Sequence, residues 1–235
     1  MPLSLNNLST SSQNVLRQLQ NIPANIFIEN KQEDFITAFI TTDLTKNIGT
    51  NSNYFITQYT GNGIQRADIA ELNHGNLDSH IECKYLYSFD FKRPQRAKMN
   101  WAERELVIAL SKLGKTNNDY ILCYCIHITN INIIINNLIQ QHPCLRYKQN
   151  IFTYIHDRKI NNSIQNAVFK RTGVSIFNSP NPYQDIGNEI NNIISAMTNS
   201  NVNIANPNRA SFSAALPGNP NVTVNFDLIL YAIEL

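Results

Sequence analysis

The alternation of apolar and polar positions predicts a regular succession of helices and strands in the first half of the chain. Apolar residues recur at helical spacing in ENKQEDFITAFITTDLTK and again in AKMNWAERELVIALSKLG, where Gly114 is placed to end the second helix. Between them, three segments rich in aromatic and β-branched residues are typical of strands, and Gly61-Asn62-Gly63 is typical of a tight turn joining the first two. DYILCYCIHIT is apolar almost throughout, which is typical of a strand covered on both faces of a mixed or parallel sheet. The predicted order is helix, three strands, helix and strand, over residues 29–46, 53–60, 64–73, 80–89, 97–114 and 119–129.

The pattern is less regular on either side of this succession. The remaining predicted elements are helices at 12–20, 131–141 and 184–198, a strand at 151–155, and a terminal β-hairpin made of SFSAAL, the turn PGNP and VTVNFDLILYAIEL. Together the elements predict an α/β (α+β) fold with a central mixed sheet flanked by helices. We divide the chain into an N-terminal extension at 1–24, a core at 25–130, and a C-terminal elaboration at 131–235 that packs on the core and ends in the hairpin.

Composition narrows the class of protein without indicating a partner. The chain has 235 residues, of which 43% are hydrophobic and 15% charged, so it can bury a core and fits one domain with elaborations. Residues 1–14 lack the basic and apolar regions of a signal peptide, and no stretch is apolar for the thickness of a bilayer, which predicts a cytoplasmic protein with no membrane partner. The net charge of +2 is too small to indicate nucleic acid by itself. No P-loop occurs, so no nucleotide cofactor is expected.

The four cysteines are Cys83, Cys123, Cys125 and Cys144, too few and too irregularly spaced for a disulfide framework. Cys123 and Cys125 share one face of a predicted strand, and neither a CxxC pair nor a histidine pair accompanies them. We therefore interpret them as small buried hydrophobic residues and not as zinc ligands.

Candidate chemistry lies on the second and third predicted strands. Glu82 and Lys84 are two residues apart, so their side chains project from one face, about 7 Å apart along the strand. Asp68 lies near the start of the preceding strand, and a hairpin through residues 73–79 would bring its carboxylate towards Glu82. Two carboxylates with a backbone carbonyl such as that of Cys83 would make an adequate shell for Mg²⁺, which keeps several waters. A nearby ammonium could orient a water or offset charge on a phosphate, and the sequence leaves open whether Lys84 acts as a base or as an electrostatic positioner.

The runs Arg66-Ala67-Asp68-Ile69-Ala70-Glu71 and Ile81-Glu82-Cys83-Lys84 resemble the D…ExK signature of the PD-(D/E)xK nuclease superfamily, which includes many restriction endonucleases and Holliday-junction resolvases. The common core of that superfamily is αβββαβ, and residues 29–129 are predicted in the same order. The resemblance thus covers a little under half of the chain. Ala67 stands where the proline of the signature would be, a position that varies widely in the superfamily.

The resemblance implies a restriction-endonuclease-like core and a catalytic site. Asp68, Glu82 and the backbone carbonyl of Cys83 would hold Mg²⁺, with Mn²⁺ able to substitute, and Lys84 would complete the site. Members often carry one more acidic residue on the first helix. Glu33 is our candidate, with Glu29 and Asp34 behind it.

Basic residues suggest where nucleic acid would bind. Lys92, Arg93, Arg96 and Lys98 cluster at the predicted start of the second helix, where they oppose the helix dipole, and we interpret them as phosphate contacts. A second group lies in the C-terminal elaboration, which we assign to DNA recognition or dimerisation; its members are Arg146, Lys148, Arg158, Lys159, Lys170 and Arg171. His127, inside an apolar strand, is expected to be structural, whereas His80 precedes Glu82 on the same face and could approach the site.

The leading hypothesis is a Mg²⁺-dependent endodeoxyribonuclease of the type II restriction class, which would work as a homodimer in order to cut both strands of DNA. A structure-specific or repair nuclease, or a nuclease toxin, would use the same site on DNA of a particular shape. A nucleic-acid-binding protein that keeps the fold without turnover is the alternative from a different class. The three functions differ in whether DNA is cut, and in which DNA is cut.

Overall fold

A seven-stranded sheet runs through the part of the chain that the computed structural model describes. The described residues are 2–24, 26–27, 32–61, 66–91, 99–114, 116, 118–132, 180–216 and 219–235. The elements are α1 (Leu5–Leu19), α2 (Glu33–Ile48), β1 (Asn53–Tyr59), β2 (Ala67–Asn73), β3 (Asn76–Tyr87), a 3-10 turn (Ser88–Phe91), α3 (Trp101–Lys112), β4 (Asn118–Asn132), α4 (Pro182–Thr198), β5 (Asn203–Ile204), β6 (Asn208–Leu216) and β7 (Asn219–Glu234).

The sheet is mostly antiparallel. Its strand order is β1-β2-β3-β4-β7-β5. β5 and β6 pair with the same edge of β7: β5 pairs with the last residues of β7, and β6 pairs with the residues before them. Among these strands only β3 and β4 run parallel, with Glu82 opposite Ile121 and Lys84 opposite Cys123. The parallel pair needs a crossover, and α3 lies in that crossover. Because β7 pairs with β4, the sheet continues from the predicted core into the C-terminal elaboration.

Helices cover both faces of the sheet, which explains the continuous apolar run of β4. Tyr120, Leu122, Tyr124 and Ile126 pack on the face covered by α1 and α2, and the residues between them, such as Ile121, pack on the face covered by α3 and α4. A strand covered on both sides has no polar face to present to water, so alternation disappears from its sequence. The predicted central mixed sheet flanked by helices is confirmed at this level.

Local signals fix the helix ends. Ser4 caps α1 by accepting a hydrogen bond from the backbone N–H of Asn7. Asn100 caps α3 in a capping box, in which its side chain accepts from the N–H of Glu103 while the Glu103 carboxylate accepts from the N–H of Asn100. Helix α2 begins with Glu33, which suits the positive end of the helix dipole and places a carboxylate at the edge of the sheet.

The predicted order of helix, three strands, helix and strand is confirmed, as are the helix predicted at 184–198 and the terminal hairpin of β6 and β7. One helix start and two connections differ from the predictions. Helix α1 begins at Leu5 rather than at residue 12, because Ser4 provides its cap. The β1–β2 connection runs from Thr60 to Arg66 and is longer than a tight turn at Gly61.

The third difference is the β2–β3 connection, which is shorter than the loop expected through residues 73–79. Asn73 pairs with Asn76, and the two residues between them, His74 and Gly75, both have positive φ, as a two-residue hairpin turn requires. The helix predicted to start at Ile131 is wrong at its first residues, because β4 extends to Asn132. The rest of that helix and the strand predicted at 151–155 lie outside the described residues.

Within the described ranges, no helix combines the length and the apolar character that crossing a membrane requires.

Candidate active site

The site forms where β2 and β3 separate. The β2–β3 ladder ends at the pair Ile69 and Ile81, and beyond it β3 continues alongside β4. Beyond this point two carboxylates accept the β3 hydrogen bonds that β2 no longer accepts. The N–H of Cys83 donates to Oδ2 of Asp68 at 2.8 Å, and the N–H of Tyr85 donates to Oε2 of Glu33 at 2.8 Å. The gap between the strands is therefore lined by acidic side chains from β2 and from the start of α2.

Glu82 is fully buried, and both of its oxygens have a basic neighbour. Oε1 lies 2.9 Å from Nε2 of His80, and Oε2 lies 2.6 Å from Nζ of Lys112, the last residue of α3. Nζ of Lys84 lies 4.0 Å from the same Oε2 and 3.9 Å from Oδ2 of Asp68. The face of β3 that carries Glu82 and Lys84 is the one that α3 covers, since Leu86 on that face packs in the α3 cluster.

The tautomer of His80 follows from its surroundings. Nδ1 of His80 is buried without a hydrogen-bond partner among the described residues. Nε2 faces the Glu82 carboxylate, which accepts hydrogen bonds when ionised. We therefore assign the proton to Nε2, so that His80 donates to Glu82.

The two metal-ligand candidates have opposite pKa shifts. Burial raises the pKa of Asp68, and the neighbouring Glu82 carboxylate raises it further, against the hydrogen bond from the N–H of Cys83. Burial would also raise the pKa of Glu82, but its hydrogen bonds with His80 and Lys112 outweigh burial and hold it below its ordinary value. Glu82 is thus compensated by the protein, whereas Asp68 lacks sufficient positive charge.

Lys84 is held in its charged form. Burial opposes the ammonium, but the carboxylates of Glu33, Asp68 and Glu82 together raise the pKa of Lys84 above its ordinary value. At neutral pH Lys84 is therefore a hydrogen-bond donor and a positive charge.

The oxygen donors of the gap suit a hard cation in an open shell. Asp68 and Glu82 supply carboxylates, and the carbonyl of Cys83 faces the same gap as its N–H, because both groups of one strand residue point to the same edge. Within the described part of the chain, no three His, Cys, Asp or Glu side chains are grouped so as to hold a metal ion. Mg²⁺ does not need such a group, since it binds through one or two carboxylates and keeps several waters. The residues fit Mg²⁺ held in this way better than zinc in a closed cage.

The geometry brings together the four residues singled out in the sequence, Asp68, Glu82, Lys84 and Glu33. Asp34, the reserve for Glu33, is exposed, and Glu29 lies outside the described residues. Lys92, Arg93, Arg96 and Lys98 lie outside the described residues, as does the second basic group from Arg146 to Arg171.

Lys112 was not predicted from the sequence, whereas His80 was predicted only as a residue that could approach the site. Lys112 comes 28 positions after Lys84 and reaches Glu82 only because α3 crosses over β3. A lysine in the last turn of a helix is an ordinary partner of the helix dipole, so the pattern carried no signal for this contact. His80 had one signal, its place on the same strand face as Glu82.

His127 and the three described cysteines agree with the structural roles expected for them, whereas Cys144 lies outside the described residues. His127 is buried, and its Nδ1 lies 3.1 Å from Oγ of Ser88. Cys83, Cys123 and Cys125 are buried and are not in disulfides. Burial raises the pKa of Cys123 to about 12, so its thiol stays protonated at neutral pH.

No protein-family model, no curated protein and no solved structure matches this chain. Its function must therefore follow from the geometry.

A second buried glutamate lies on β2 and differs from Glu82. Glu71 is fully buried and accepts hydrogen bonds from the N–H of Leu3 at 3.0 Å, from Nδ2 of Asn53 at 2.9 Å, and from the hydroxyl of Ser79. All of these donors are neutral, and together they tie the start of the chain to the sheet. Glu71 thus has a structural role that needs no ligand.

Proposed function

We propose that this chain is a Mg²⁺-dependent endonuclease of the PD-(D/E)xK type with a restriction-endonuclease-like core, acting on DNA. One observation carries the proposal: Asp68, Glu82 and Lys84 converge where β3 loses its neighbour, and Glu33 joins them from the first helix of the core. The order α2-β1-β2-β3-α3-β4 supports it, because it is the order of the core that the resemblance implies.

The alternative that these charges only stabilise the fold fits the site less well. A buried ion-pair network is costly to desolvate, and a structural network gains when every charge is compensated. Asp68 is not compensated, since its pKa is raised above the ordinary value. A raised carboxylate pKa beside a second carboxylate, at a side chain that is still 12% exposed, is typical of a functional site.

In the proposed reaction, Mg²⁺ bound at Asp68, Glu82 and the Cys83 carbonyl would polarise the scissile phosphate and make a water more acidic. Lys84 donates hydrogen bonds and offsets negative charge on the phosphate, a role that agrees with its charged form. Glu33 accepts from the N–H of Tyr85 and keeps a negative charge beside Lys84, which holds the ammonium in place. His80 fixes the orientation of Glu82.

The test is cleavage of linear, supercoiled and branched DNA in Mg²⁺ or EDTA, by the parent protein and by Asp68→Asn, Glu82→Gln and Lys84→Met. We expect cleavage in Mg²⁺ and its loss in EDTA and in each variant, whereas Asp34→Asn, a change at an exposed carboxylate of the same helix as Glu33, should cleave normally. Cleavage that survives EDTA or all three substitutions would end the proposal. Metal-independent binding with no cleavage on any substrate would favour a binding protein.

Within this proposal, a type II restriction-like enzyme acting as a homodimer is one form, and a structure-specific nuclease is the other. One observation favours the second form. Trp101, the first residue of α3, is 47% exposed, and the guanidinium of Arg104 lies 5.4 Å from the centre of its ring. In proteins that bind single strands, unpaired bases stack on exposed aromatic rings with arginine nearby, and intact duplex DNA does not offer unpaired bases.

Comparison of duplex with splayed or flapped DNA separates the two forms. If unpaired bases stack on Trp101, Trp101→Ala should slow cleavage of splayed DNA about tenfold and leave duplex cleavage unchanged. Sedimentation of the protein with and without duplex DNA tests the homodimer. If Trp101→Ala cleaves splayed and duplex DNA at the same rates as the parent, and the protein sediments as a dimer, the restriction-like form is selected.

A further inference from the structure

Lys112 contacts Oε2, one of the two oxygens that the Glu82 carboxylate could offer to a metal ion. Its Nζ lies 2.6 Å from Oε2, and the two side chains are 19% and 0% exposed. Oε1 of Glu82 is taken by His80. Both oxygens of the carboxylate are therefore occupied by groups of the protein itself.

A divalent cation and the Lys112 ammonium cannot share Oε2 without strong repulsion. Mg²⁺ binds a carboxylate oxygen at about 2.0–2.1 Å. With Nζ 2.6 Å from the same oxygen, the two cations would lie less than about 5 Å apart even on opposite sides of it. One of the two contacts has to lengthen when the metal enters.

Lys112 is the partner of Glu82 that can move. His80 is fully buried and lies on the same strand two residues away, so the strand fixes its ring. Lys112 ends α3 on a flexible four-carbon stem and precedes Gly114, which has a φ of +85°. Its Nζ also lies 3.5 Å from the carbonyl of Arg66, which offers an acceptor when Glu82 is released.

We propose that Lys112 is an internal counter-cation that holds Glu82 in the metal-free protein and is displaced by the divalent ion. The inference rests on the proposed metal site and adds a positioning residue that the D…ExK signature does not contain. In the metal-free protein, Lys112 keeps the buried carboxylate compensated and in place. On metal binding, its ammonium turns away from Glu82 towards the carbonyl of Arg66 and the solvent.

The first experiment measures Mn²⁺ affinity by titration calorimetry for the parent protein, Lys112→Met and Lys112→Gln. Removing the competing charge should tighten Mn²⁺ binding, by about tenfold in Lys112→Met, where a tenfold change corresponds to about 1.4 kcal/mol. Lys112→Gln, which keeps a hydrogen-bond donor, should tighten it less. Lys46→Met, a change at an exposed lysine in the last turn of α2, serves as the matched control and should bind like the parent.

The second experiment reads the displacement directly in the unmodified protein. Acetylation of lysines, followed by mass spectrometry with and without Mn²⁺, should show Lys112 reacting several times faster when the metal is bound, because its ammonium leaves the buried carboxylate. Lys46 should react at the same rate in both conditions. This readout does not depend on a variant that folds.

The outcomes separate this inference from the proposed function. If Asp68→Asn abolishes Mn²⁺ binding while Lys112→Met binds equally or more weakly and Lys112 acetylation is unchanged, the metal site stands and the counter-cation is wrong. If neither the parent nor any variant binds Mn²⁺ at millimolar concentration, both fail. Circular dichroism of each variant confirms that the titrated protein is folded.

Discussion

Glu71 and Glu82 lie on neighbouring strands and are equally buried, yet their surroundings differ in kind. Glu71 receives hydrogen bonds from a backbone N–H, an amide and a hydroxyl, all neutral. Glu82 is surrounded by an imidazole and two ammonium groups. It also lies close enough to the carboxylate of Asp68 to raise the pKa of Asp68. Burial alone thus does not indicate function. The chemistry of the partners separates Glu71, whose hydrogen bonds come from neutral donors, from Glu82, which lies among cationic groups and where we propose that the metal ion binds.

The largest expected effect is the loss of DNA cleavage when Glu82 is substituted. In Glu82→Gln, a neutral amide replaces the carboxylate that would hold the metal, and we expect Mg²⁺-dependent cleavage to fall by about 10³-fold. The measurement is the initial rate of DNA cleavage under single-turnover conditions. A variant rate within tenfold of the parent would erase the contrast between the two glutamates.

The next largest effect is the loss of stability when Glu71 is substituted. Glu71→Gln places an amide nitrogen among groups that already donate, so at least one buried donor loses its acceptor, and the free energy of unfolding should fall by about 2–3 kcal/mol. Urea denaturation measures it, and Asp34→Asn is the exposed control. Cleavage by the folded protein should be unchanged. A loss of cleavage without a loss of stability would assign Glu71 to the site.

The smallest effect is the pH dependence contributed by Asp68. Its pKa is raised in the folded protein above the ordinary 3.8, so the folded state binds the proton more tightly than the unfolded state. Ionisation of Asp68 therefore costs stability, beginning as the pH rises through 3.8 and complete above the folded pKa. Asp68→Asn removes this cost, and the variant should be more stable than the parent at pH 7 by less than about 1 kcal/mol.

Thermal or urea unfolding of Asp68→Asn and the parent, measured from pH 3 to pH 7, tests this direction. Below pH 3.8 this position should contribute equally to the stability of the two proteins. As the pH rises, the free energy of unfolding of the variant should increase relative to that of the parent. A variant that loses stability relative to the parent over that range would mean that Asp68 belongs with Glu71 as a structural carboxylate.

The sequence predicted the parts of the site that lie close together along the chain. Glu82 and Lys84 share a strand face by simple alternation, and Asp68 comes from the strand before them, joined by a short hairpin. Glu33 could be chosen because the resemblance implies an acidic residue on the first helix, and helical spacing puts Glu33 on one face with Ile36 and Ile40. The order of elements up to β4 followed from the same local periodicities.

The rest depends on contacts between distant parts of the chain. Lys112 reaches Glu82 through the crossing of α3 over β3, and Leu3 reaches Glu71 across 68 positions. The local periodicity of the sequence predicts neither contact. The pairing of β7 with β4 is of the same kind, since nothing in the hydrophobic pattern of either strand specifies its partner.

The position of β7 has a consequence for synthesis of the chain. β7 follows the other described strands in sequence, yet it lies between β4 on one side and β5 and β6 on the other. β4 ends at Asn132 and β7 begins at Asn219, so at ribosomal speed roughly 4–17 s pass before the apolar edge of β4 can be paired. During that interval the edge of β4 lacks the partner that β7 provides in the folded chain, and an unpaired strand edge is the feature that leads to edge-to-edge aggregation. Co-production of a chaperone that binds extended apolar segments should therefore raise the yield of folded protein.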